Sequence, residues 1–286
     1  MDTTLKKFDE EELIYGRKFG MALTLKAFQP VQKNGAAIIL VLSEGWYSNL
    51  EMIEQVKTIL IEPIIEAGYC LFAVVHSSNP RFSIPDAIDD IHRSVRFVRY
   101  NSQKYGIDPD RIGILGGSAA GQLALSVACK QSNQDKHDDD IAAVSNDIAA
   151  AAIFFPLVDF LNWGEAGKIM VGDHPAVPLF GAFDFDELDT KTQRFERVEI
   201  AEKRLSIAKG LSPLEWVSSK QVPTYLVTGD ADPVVPPEQS YRLAEKMKIN
   251  GVAHELQVIA DGGHDMNMIA DNLGGAIDWF ETYLSP

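Results

Sequence analysis

The stretch RIGILGGSAAGQLAL, residues 111–125, joins a short apolar run to a helix-like string of small and apolar residues through two glycines and a serine. A short apolar run closed by glycines reads as a strand buried on both faces. Ser118 stands where strand gives way to helix. It is either the N-cap of a buried helix or a nucleophile carried on a sharp strand-to-helix turn. The stretch alone does not separate the two.

Outward from that join the same grammar repeats. AAIILVLS (36–43), YCLFAVVH (69–76), IAAAAIFFP (148–156), VPTYLVT (222–228) and HELQVIA (254–260) read as further strands. Helical spacing runs over Leu50–Ala67, over 84–106 with Ile88, Ile91, Val95 and Val98 on one face, over Pro237–Asn250, and over roughly Met268–Tyr283. Tyr15–Pro30 alternates loosely with glycines at its turns and reads as an opening antiparallel hairpin. Strands separated by helices predict an α/β fold: a mostly parallel central sheet, an antiparallel N-terminal hairpin, and helices on both faces. Asp159–Lys220 breaks the rhythm, with no clear strand and many Phe, Trp and charged residues. It is read as a cap-like insertion, about 159–220, within a single domain of 1–286.

Composition narrows the function. The net charge of -15 argues against nucleic acid, whose phosphates need a basic face, and disfavours anionic membranes and strongly anionic substrates. No apolar run approaches the ~20 residues that span a bilayer. The first residues, MDTTLKKFDEEELIYG, contain no apolar core of a signal peptide. A cytoplasmic chain fits this, as does a secreted or periplasmic one with its signal peptide removed. Cys70 and Cys129 supply neither a disulfide framework nor a metal spacing, and both sit in apolar runs as buried thiols.

In a parallel sheet, functional residues gather just beyond the carboxyl ends of the strands. Ser118 follows strand 111–115, Asp232 lies in GDADPVVP after strand 222–228, and His264 lies in DGGHDM after strand 254–260. A serine hydroxyl needs a base within hydrogen-bonding reach to attack at neutral pH. Histidine, with a pKa near ~6.5, suits that task, and a carboxylate fixes the imidazole tautomer and stabilises the imidazolium. Asp230 is the rival acid, placed to close the turn itself.

With these residues in the order Ser, Asp, His, the chain resembles the α/β-hydrolase superfamily, and more narrowly its small serine esterases of the acetyl-esterase and feruloyl-esterase (BD-FAE-like) type. The resemblance runs from the first hairpin to the last helix. It rests on Gly116-Gly117-Ser118-Ala119-Ala120-Gly121, on Gly229-Asp230-Ala231-Asp232 with Val235-Pro236, and on Gly263-His264. It implies an α/β-hydrolase fold and a carboxylesterase in which Ser118 is nucleophile, Asp232 acid and His264 base. It also implies a small ester substrate, with carbohydrate or phenolic esters within range, and no metal or cofactor. Two departures stand out. Ala120 replaces the second glycine of G-x-S-x-G, which predicts a slightly altered turn. Leu42-Ser43-Glu44-Gly45-Trp46 stands where such esterases carry H-G-G-G-W.

Oxyanion stabilisation uses backbone N–H groups. The expected donors are the amides of Ala119 and Glu44, with Ser43 and Gly45 as neighbouring alternatives. Trp46, His76, Gly117, Trp163 and Phe183 are candidate substrate-binding residues, with Phe180 and Phe185 as further aromatic walls. His76 is also open to a structural reading, and Asp90, His254 and the acidic loop HDDD (137–140) are read as structural or solvated. A peptidase, amidase or acyltransferase on the same triad, and a non-catalytic binding protein on a decayed scaffold, remain as alternatives. The oligomeric state is unfixed, a homodimer being one state open to the chain.

Overall fold

The five strands read as continuous apolar runs form because nothing in them requires water. β3 (Ala37–Val41), β4 (Cys70–Val74) and β6 (Ala150–Phe154) are buried at every residue, as is β9 (Thr224–Gly229). β5 (Ile112–Gly117) is buried up to its final glycine. Successive side chains of a strand point to opposite faces, so each run feeds two cores. Ile39 and Val41 enter one, and Ile38 and Leu40 the other. The computed structural model describes residues 7–130, 139–170 and 185–286.

The hairpin is longer than expected. β1 (Phe8–Lys18) pairs antiparallel with β2 (Met21–Pro30), so the strand opens at Phe8, not Tyr15. The acidic run Asp9–Glu12 hides it from a periodicity reading. These side chains lie on an edge strand, where Lys57 and Lys104 pair with Glu10 and Glu11, and charge suits an unpaired edge. With β10 (His254–Ile259) the sheet has eight strands in the order β1-β2-β4-β3-β5-β6-β9-β10. From β4 to β10 all neighbours are parallel.

One face carries α3 (Ile84–Tyr100), the short α4 (Ser102–Tyr105) behind it, and α5 (Ala119–Cys129). The other face carries the run 51–66, the Leu50–Ala67 expectation in outline. It is α1 (Glu51–Val56) and α2 (Glu62–Glu66) joined by a π turn at Lys57–Ile61. Between β6 and β9 lies a feature that contradicts the strand-free reading. β7 (Asp186–Asp189) and β8 (Arg194–Arg197) form a small antiparallel ribbon before α6 (Ala201–Leu211). α7 (Glu238–Ile249) follows β9. The expected final helix is two, α8 (Met266–Asp271) and α9 (Leu273–Tyr283), parted at Asn272. Among the described residues no helix is long and apolar enough to cross a membrane. Cys70 and Cys129 are both buried and free.

Asp90 binds three elements. Its Oδ2 accepts from the amide and hydroxyl of Ser77 at 2.8 and 2.5 Å, and Lys18 of β1 lies 2.6 Å from Oδ1. In the acidic loop, Asp139 pairs with the buried Arg93 of α3, while 137 and 138 lie outside the described residues. His92 on α3 is buried and accepts from Asn146 Nδ2 at its Nδ1, 2.6 Å away. Burial first, then the Arg96 and Lys130 charges, push its pKa from 6.5 to about 4. The unfolded chain therefore binds a proton that the native state refuses. This contribution to stability is full above about pH 6.5 and is lost as pH falls toward 4, amounting to about 3 kcal/mol for this one group. Urea unfolding at pH 7, 5 and 4 is expected to show a flatter decline in His92→Gln than in the wild type across that window.

Candidate active site

The strand order reverses direction between β3 and β5, and such a switch point opens a crevice at the carboxyl ends of the strands. β5 delivers Ser118 there. Its φ of 56° and ψ of -124° lie in a region that non-glycine residues rarely occupy. No side-chain bond caps α5, so Ser118 holds the N-cap position without doing the N-cap's work. Close packing explains the glycine before it. A Cβ on Gly116 would lie 2.5 Å from the Ala120 carbonyl oxygen, so β5 and the first turn of α5 approach only through a bare Cα. Position 120 makes no such demand: Ala120 is buried with its methyl group in place.

The freed hydroxyl donates to His264 Nε2 at 2.9 Å, and His264 Nδ1 donates to Asp232 Oδ2 at 2.7 Å. Asp232 is wholly buried at its side chain, and its Oδ1 accepts from the amides of Val234 and Val235, both at 2.8 Å. Asp230 plays the other part. Its Oδ1 accepts from the Asp261 amide at 2.7 Å, clasping the loop after β9 to the loop after β10. The two loops also touch at Gly229 and Gly262, where a Cβ on Gly229 would sit 2.1 Å from the Gly262 oxygen. Gly229→Ala must therefore part Asp232 from His264. An ångström of misplacement at a reacting centre costs about 10²-fold, so kcat/KM for p-nitrophenyl acetate is expected to fall by about that factor or more.

Phe155, directly after β6, is a site residue that the sequence reading missed. Its ring centroid lies 4.3 Å from that of His264, and its own φ is 34°. The signal was its place beyond a strand neighbouring that of Ser118.

The turn after β3 corrects the oxyanion expectation. The Glu44 amide donates to the Tyr47 carbonyl at 2.8 Å, and the Tyr47 amide returns to Glu44 at 2.9 Å. A turn closed on itself leaves Glu44 no amide for a substrate, and the Glu44 side chain is exposed. Gly45, at φ 54°, lines a small cavity of about 50 Å³ together with Ser118 and Ala119. Asn79 Nδ2 fixes this turn by donating to the Gly45 carbonyl at 2.7 Å.

Of the expected binding residues, Trp46 and Trp163 line that small cavity along with Met170. Trp46 is also core: it is buried, packs edge-on against Phe160, and donates from Nε1 to Gln122 at 3.0 Å. Gly117 lines a larger cavity of about 320 Å³ that also reaches Ser118, with Ser43, Val56, Leu60, His264 and Ile269. The π turn follows Val56 and contains Leu60. His76 lines neither cavity. It is buried behind Ser43 with both ring nitrogens engaged. Phe185 is buried in the core, and Phe180 and Phe183 lie outside the described residues. His254 is bonded to the Val252 carbonyl, away from the site.

Known proteins carry the same frame. The chain is 27% identical over 194 residues to Esterase LipQ of Mycobacterium tuberculosis, a match spanning 68% of this chain but 42% of LipQ. Among solved structures, a truncated carbohydrate esterase from gut microbiota superposes with a TM-score of 0.76 at 22% identity, covering 98% of each chain. Thermogutta terrifontis esterase 2 phosphorylated by paraoxon superposes at 0.70 with 22% identity, over 97% of this chain and 96% of the other. The sequence pattern of the BD-FAE family matches residues 25–247, which take in Ser118, Asp232 and both cavity-lining turns, and the chain belongs to that family.

Proposed function

We propose that the protein is a serine carboxylic-ester hydrolase that works through a covalent acyl-enzyme. The observation that carries this reading is the unbroken contact Ser118–His264–Asp232, with a serine hydroxyl that serves the imidazole and no helix cap. Membership of the family, and relatives named as esterases, support it.

His264 takes the Ser118 proton as Oγ attacks the ester carbonyl carbon. The carbonyl oxygen gains the negative charge, and the amides of Ala119 and Gly45 are the donors assigned to it. His264 then protonates the departing alcohol. Water attacks the acyl group with the same base, and collapse returns the Ser118 hydroxyl and frees the acid. Asp232 keeps the imidazole in the tautomer that points a lone pair at Ser118. No step calls for a metal or cofactor. We assign the described parts of the insertion, 159–170 and 185–220, a capping role within a single domain; Trp163 and Met170 of the first part line the small cavity. The substrate is a small ester, a carbohydrate ester among the choices suggested by the gut-microbiota neighbour's name.

A fluorophosphonate probe tests the reading. One label per chain, located on Ser118 and protected by a turning-over ester, is expected; folded protein that neither labels nor hydrolyses p-nitrophenyl acetate would overturn it.

A further inference from the structure

Ser43 lines the larger cavity beside Ser118 and His264, and its hydroxyl lies 2.8 Å from His76 Nε2. His76 Nδ1 lies 2.8 Å from the Ser77 carbonyl oxygen. A carbonyl only accepts, so Nδ1 carries the ring proton, and in the neutral imidazole Nε2 is the acceptor. Burial favours that neutral form, holding the pKa of His76 below its ordinary value despite the opposing Ser77 carbonyl. The Ser43 O–H is thus committed inward. Its oxygen presents only lone pairs to the cavity.

The support behind this pair is firm. Ser77 is bonded through both its amide and its hydroxyl to the buried Asp90, which Lys18 neutralises. Elsewhere the cavity wall is largely apolar, with Leu40, Leu42, Leu60, Leu115 and Ile269. The triad members are spoken for by one another, and Glu44, Gln55 and Asp265 are exposed. Among the described lining residues, Ser43 is the half-buried side-chain acceptor that stands apart from the Ser118–His264 pair, and in an apolar wall it selects for one matching donor. A ligand oxygen without a hydrogen would meet it lone pair to lone pair.

We propose that Ser43, oriented by His76, determines specificity, and that the larger cavity takes an ester half that is apolar apart from one hydroxyl group. This rests on the esterase reading above and names the substrate class of that site. His76 is a positioning residue, acting through Ser43.

The test uses matched esters differing at one carbon. On the acyl side these are p-nitrophenyl butyrate, 3-hydroxybutyrate and 3-methoxybutyrate; on the alcohol side, propyl, 3-hydroxypropyl and 3-methoxypropyl acetate. In one of the two series the hydroxyl member is expected to exceed the methoxy member in kcat/KM by about tenfold, the worth of one well-made hydrogen bond. Ser43→Ala and Ser43→Gly should bring that ratio to about one, and Ser43→Thr should restore it. A structural role alone would lower every member together and leave the ratio intact. An unchanged ratio in the folded variants, or no preference in the wild type in either series, overturns the proposal while ester hydrolysis stands. Loss of all hydrolysis together with absent Ser118 labelling removes the esterase reading itself, and this proposal with it.

Discussion

Ser118→Ala is expected to lose about six orders of magnitude in kcat, while unfolding at nearly the wild-type temperature. The activity figure follows from the way such triads act as a unit: without the nucleophile, the base and acid have nothing to activate. A residue of 10³–10⁴ over the uncatalysed rate is expected to survive from oxyanion binding alone. The stability figure follows from the bonding at this join. The hydroxyl caps no helix amide, so its removal costs α5 nothing. The left-handed φ of 56° is retained by alanine at similar strain. Among the described residues the side-chain bond lost is the one to His264, whose other nitrogen keeps Asp232. Steady-state hydrolysis and thermal unfolding of the same preparation check both halves. Turnover comparable to the wild type would remove Ser118 from the chemistry; a large drop in unfolding temperature would mean that the serine serves the helix after all.

Asp232→Asn is expected to cost about 10⁴-fold in kcat with the fold retained. Both carboxylate oxygens are in use, Oδ2 by the imidazole N–H and Oδ1 by two backbone amides. An amide side chain has one oxygen for these three donors. If that oxygen faces Val234 and Val235, the NH₂ group meets His264 Nδ1 and forces the tautomer in which Nε2 carries the proton. Then His264 cannot accept from Ser118. If it faces His264, the NH₂ group is turned against two amide donors in a wholly buried place, which costs stability in addition. The first arrangement is favoured because it preserves two bonds. A pH–rate profile of Asp232→Asn, set against that of Asp230→Ala, separates the acid from its neighbour: loss of the Asp230 clasp slackens both loops without changing the tautomer.

What the sequence made legible, it made legible through burial. The five strands β3, β4, β5, β6 and β9 need no water and read as unbroken apolar runs, and the candidate residues Ser118 and Asp232 stand just beyond two of them, while His264 follows the half-buried edge strand β10. β1 escaped because its acidic residues lie on the sheet edge, where alternation has no core to answer to. The β7–β8 ribbon escaped because four-residue strands of exposed charged residues leave no pattern. At the site, the failure at Glu44 has a plain cause. A turn's internal hydrogen bonds are properties of its path through space, and the path is not written in Leu-Ser-Glu-Gly-Trp. The pairing of His76 with Ser43 joins residues that follow different strands, and no local pattern announces it.

The clasp between Asp230 and Asp261, and the bare contact of Gly229 with Gly262 beneath it, make the acid and the base parts of one fitting. Anyone transplanting a histidine loop from a relative into this scaffold must bring the matching aspartate loop with it. Loops interchanged singly will collide or gape at a joint that carries no side chains to absorb the error.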